Sequence, residues 1–102
     1  MHPDRRRETL EQAWIGDAVL SLYARCRILR EDGFQDAAKF VRMTSNQFLG
    51  TLMDATEAEA EIGRVFQAQG LDAAFAWIEE RLIPMFERQE ENRRQRAAGK
   101  RT

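Results

Sequence analysis

Residues 14–29 read WIGDAVLSLYARCRIL, about four helical turns with apolar residues on nearly every side. A helix with one inward stripe would leave a polar face, so this run predicts a helix covered all round. In a chain of 102 residues, part of that cover is expected from a second subunit. Two residues stand out within the run. Asp17 is a carboxylate whose burial costs on the order of several kcal/mol unless a partner compensates it. Gly16 costs roughly 1 kcal/mol against Ala in mid-helix and is usually kept where another group must approach closely.

Working outward, the first helix is expected from about Glu8 to Arg30, entered through Thr9 and stopped by Glu31-Asp32-Gly33. A second, about Gln35 to Arg42, has Ala37, Ala38, Phe40 and Val41 as its apolar face. A third starts near Ser45 and buries Phe48, Leu49, Leu52 and Met53. For the fourth, Thr56 and Glu59 fit a Ser/Thr-x-x-Glu capping box and Gly70 fits the closing position, with Ile62, Val65 and Phe66 between them. The last segment opens at Asp72, carries Phe75, Trp77, Ile78 and Leu82, and meets Pro84, which breaks or kinks a helix. Strand-like alternation of β-branched residues is missing, so the fold class is all-α.

At 43% apolar and 32% charged, the composition suits one compact domain and excludes a multidomain enzyme. The formal charge of −1 hides an uneven distribution. Residues 1–7, read as a basic N-terminal extension, hold three Arg against one Asp. Residues 88–102, read as a basic and partly disordered tail, hold six basic against two acidic side chains. The helical body between them, 8–87, holds seven basic against fourteen acidic. Cys26 alone can form neither an intramolecular disulfide nor a cysteine zinc site, and reads as a small buried hydrophobe in a reducing compartment. Trp14 to Ala24 is too short to cross a bilayer and MHPDRRR lacks an apolar signal core, so no membrane partner and a cytoplasmic location are expected.

With no phosphate-binding Gly loop and no His-based metal pattern, any chemistry falls to carboxylates. Two readings of Asp17 compete. It can pair with an Arg such as Arg42 or Arg64, or it can hold a divalent cation with carboxylates of another helix, Mg²⁺ or Mn²⁺ being suited to oxygen donors. The donors on offer lie in residues 55–63, ATEAEAEIG, where Glu57 and Glu61 share one helix face and Glu59 points elsewhere. Glu59 is the best placed to turn inward, although the capping box explains it without any metal.

Residues 10–25, LEQAWIGDAVLSLYAR, resemble the signature helix of the ribonuclease III family, roughly LEFLGDAVLELYV. Residues 59–82, EAEIGRVFQAQGLDAAFAWIEERL, resemble that family's second motif helix. The resemblance implies a compact helical endonuclease domain in which Asp17 and Glu59 are the catalytic, metal-holding acids. It also implies a homodimer through the signature helix, with Trp14, Gly16 and Val19 at the interface. Two further acids of the family pattern are replaced here by Ala13 and Thr56. That reduction is similar to the short Mini-ribonuclease III branch, whose signature has alanine at the first of those positions.

The implied activity is Mg²⁺-dependent (or Mn²⁺-dependent) hydrolysis of phosphodiester bonds in double-stranded or structured RNA, with ribosomal RNA precursors as the substrate class. RNA phosphates would then meet Arg93, Arg94, Arg96, Lys100 and Arg101, with Arg5 to Arg7 as a second basic supply. The alternative is an inactive homodimer of the same fold that binds structured RNA or a ribosomal assembly as a scaffold.

Overall fold

A computed structural model describes residues 3–99. Among these residues the secondary structure is helical, in the order α1 (Pro3–Asp32), α2 (Ala37–Thr44), α3 (Asn46–Leu49), α4 (Ala55–Gln69), α5 (Leu71–Arg81) and α6 (Ile83–Gly99). The all-α expectation holds. The described parts of both basic ends are helical as well: α1 begins five residues before the expected Glu8, and α6 continues to Gly99 through most of the expected disordered tail. Arg7 paired with Glu11 and Arg94 paired with Glu91, each on one helix face, support those polar turns.

Short polar caps set the interior boundaries. Asp36 accepts a hydrogen bond from the Lys39 amide and opens α2, and Ser45 accepts one from the Phe48 amide and opens α3. At α4 the cap is Asp54, which accepts from the Glu57 amide at 3.2 Å. The capping box expected from Thr56 and Glu59 is therefore displaced by two residues, leaving both inside the helix. Gly70, at φ +96°, separates α4 from α5, and the break expected at Pro84 falls just ahead of it, at Leu82.

The core gathers Leu20, Tyr23, Ala24 and Ile28 of α1 against Ala58 and Ile62 of α4, Ala74 and Ile78 of α5, and Met43, Phe48, Leu49, Leu82 and Phe86. Phe75 meets the Tyr23 ring edge-on and Phe86 meets Phe48 in the same way. On α2 the apolar face differs from the expectation. Met43 is its buried residue, Phe40 is half-buried, and Ala37, Ala38 and Val41 are exposed. Cys26, expected inside, lies at the surface.

The α1–α4 crossing fixes the geometry of the molecule. There the two backbones touch, because a Cβ on Gly16 would overlap the Glu59 carbonyl oxygen and one on Gly63 would overlap the Gln12 carbonyl oxygen. Each glycine faces the other helix's backbone, so neither can be replaced without separating the helices.

Candidate functional site

The close approach at Gly16 and Gly63 carries Asp17 and Glu59, one residue on each helix, to the same spot on the surface. Asp17 is exposed and Glu59 half-buried, so the expected burial of Asp17 is relieved by its position at the rim of the crossing. The two side chains are within hydrogen-bonding reach of each other. Burial, then the hydrogen bond to Asp17, then repulsion by its charge push the Glu59 carboxyl up to about 8. At neutral pH Glu59 therefore holds a proton, which it can donate to an Asp17 oxygen.

The structural partners open to Asp17 are taken. Arg42 forms a two-pronged bond with Glu90, 2.9 Å on each arm. Arg64 reaches Glu8 at 2.8 Å and Glu61 at 2.9 Å, with Glu57 at 3.6 Å. Neither guanidinium pairs with Asp17 or Glu59. With Asp54 supplying the cap, Glu59 is free of the capping role that competed with a site role. Among the described residues, no group of three or more His, Cys, Asp or Glu side chains is arranged to hold a metal. Ala13 is buried and Thr56 half-buried beside this two-acid pair.

Around α1 from the pair runs an exposed apolar ridge. Leu10, Trp14, Ala18, Leu22 and Cys26 follow one another at four-residue intervals, all exposed, with Trp14 81% accessible. Trp14, Ile15, Ala18, Val19 and Leu22 line a shallow apolar hollow with Phe66 and Leu71. Ordinary core packing is thus excluded for Trp14 within one chain. Val19 forms the buried floor of this hollow. Gly16 departs from its expected place at a subunit interface: it is buried inside the chain against α4.

The basic residues also separate. Arg94 pairs with Glu91, whereas Arg93 and Arg96 line a groove with Arg42. Lys100 and Arg101 lie outside the described residues. Two features of this surface escaped the sequence reading. The four-residue ridge was there to be counted, but the groove depends on how α6 folds back on α2 and α3. No helix among the described residues is long and apolar enough to cross a membrane. Comparison with protein-family models, curated proteins and solved structures gave no match for this chain.

Proposed function

We propose that the chain is a homodimeric, divalent-metal-dependent endoribonuclease that hydrolyses phosphodiester bonds in double-stranded or structured RNA, with Asp17 and Glu59 as metal ligands. The observation that carries this reading is the meeting of those two carboxyl groups, from separate helices, with no Arg or Lys among the described residues to neutralise them. Carboxylate oxygens are hard donors of the kind Mg²⁺ and Mn²⁺ take, and Mg²⁺ commonly keeps several waters alongside one or two carboxylates. Burial first, and then the neighbouring Asp17, raise Glu59, and a cation between the two acids would favour both in the ionised form. The donor set therefore fits such an ion, sparsely.

A bound Mg²⁺ would supply a water of lowered pKa and neutralise charge developing on the scissile phosphate. The chain's own part is positional. Gly16 and Gly63 hold the backbones in contact, and Asp17 and Glu59 lie within hydrogen-bonding reach of each other at that crossing. The half-burial of Glu59 reduces competition from bulk water. On a helix with 100° between residues, Asp17 lies between the Gly16 line that meets α4 and the Trp14–Ala18 ridge. A second copy seated on that ridge would border the carboxylates and place two such sites about one two-fold axis, one for each strand of a duplex.

The short ligand set favours a second reading, a catalytically inactive dimer that binds structured RNA as a scaffold. A cleavage assay on a long RNA duplex with Mg²⁺ or Mn²⁺ separates the two. The enzyme reading expects cleavage by the natural chain and a loss on the order of 100- to 1,000-fold in Asp17→Asn and in Glu59→Gln, the scale of losing several kcal/mol of transition-state stabilisation. Binding without cleavage under either metal would replace it with the scaffold.

A further inference from the structure

Away from the carboxylate pair, α6 meets α2 and α3 along an open groove of about 370 Å³, lined among others by Arg42, Gln47, Thr51, Gln89, Arg93 and Arg96. Its charges are unequal in their partners. Glu90 grips the Arg42 guanidinium on both arms and fixes it in place. Arg93 and Arg96 make no hydrogen bond or ion pair among the described residues. Three residues apart, they share a face of α6, while Arg94 between them turns aside to Glu91.

The neutral groups sort the same way. Thr51 is committed, its hydroxyl donating to the Phe48 carbonyl, while the Ser45 oxygen accepts from the Phe48 amide. Gln47 and Gln89 keep their amide donors free among the described residues. The groove thus presents two uncompensated guanidiniums and two free amides, with one anchored Arg–Glu pair as its wall. Planar guanidinium forks match the oxygens of a phosphate. An open channel beside an exposed helix suits a chain that runs on past it, where a small free anion would call for an enclosed pocket.

We propose that this groove grips the phosphodiester backbone of a nucleic-acid strand through Arg93 and Arg96, with Gln47 and Gln89 donating to the same phosphates. That the strand is RNA rests on the function proposed above. The carboxylate pair sits on α1 and α4 and the groove on α2, α3 and α6, so the strand is held here at a point other than the bond to be cut. Groove variants accordingly change binding and leave the chemical step alone.

The test measures anisotropy of a labelled RNA duplex with the full chain, in EDTA so that nothing is cut, across a series of KCl concentrations. Arg93→Gln combined with Arg96→Gln is expected to lower affinity about tenfold or more and to flatten the salt slope by about 2, the share of two phosphate contacts. Arg94→Gln is expected to stay near the natural chain in both, and thermal melts check that each variant is folded. The groove is overturned if the double variant keeps its affinity and slope, if Arg94→Gln loses as much, or if the natural chain does not bind the duplex. Failure of the nuclease reading looks different: the natural chain binds and never cleaves, while the double variant still loses affinity. In the cleaving case, the double variant raises KM with kcat unchanged.

Discussion

Glu59 makes the fold respond to pH in the direction opposite to most carboxylates. Its folded value of about 8 stands above the ordinary 4.5, so between those values the folded chain keeps a proton that the unfolded chain releases. The contribution is full below pH 4.5 and is lost as the pH rises through 8. In metal-free buffer, the melting temperature of the natural chain should fall between pH 5 and pH 9, and Glu59→Gln should remove most of that fall. A profile equally steep in the variant would place the titration elsewhere. That Asp17 interrupts an apolar run and that Glu59 lies off the face shared by Glu57 and Glu61 was legible in the sequence. Their contact was not, because it depends on two glycines 47 positions apart meeting backbone to backbone.

Among the elements, the α1–α4 crossing is the least tolerant of change. Gly16→Ala and Gly63→Ala each force a methyl onto a carbonyl oxygen of the other helix. Both should destabilise by about 3 kcal/mol or more, the upper part of the range for overpacked sites, measured by denaturant unfolding. Both should also lift Glu59 away from Asp17. The α4 cap gives a milder prediction: Asp54→Ala should cost about 1 kcal/mol and Thr56→Ala much less. Equal costs would return the cap to Thr56. Sequence could not choose between the two because either can precede the same apolar stripe. Long helices were easier to read than their ends. A nearly continuous apolar run located the middle of α1, whereas its first turns and the far half of α6 rest on ion pairs between exposed side chains.

The molecule as a whole is elongated, with extents of 55 × 29 × 21 Å and a radius of gyration of 15.1 Å, against about 13 Å for a compact domain of this size. The excess comes from α1 and α6 reaching past the core, and α1 carries its exposed apolar ridge along much of that length. The all-round apolarity of residues 14–29 announced such a surface, but not which residues formed it: Gly16 turned inward and Leu10, Ala18, Leu22 and Cys26 outward. If a second copy covers the ridge, light scattering should give twice the 11.9 kDa chain mass, and Trp14→Glu should return the single-chain mass without unfolding α1. A natural chain that stays at the single mass up to high concentration would remove the homodimer. The central claim is that Asp17 and Glu59 together receive a divalent cation, and calorimetric titration with Mn²⁺ at pH 7 tests it most directly. The account predicts one ion per chain, release of a proton as Glu59 ionises, visible as a buffer-dependent heat, and loss of the site in Asp17→Asn and in Glu59→Gln. Saturable binding that survives both substitutions, or no saturable binding by the natural chain, would contradict it.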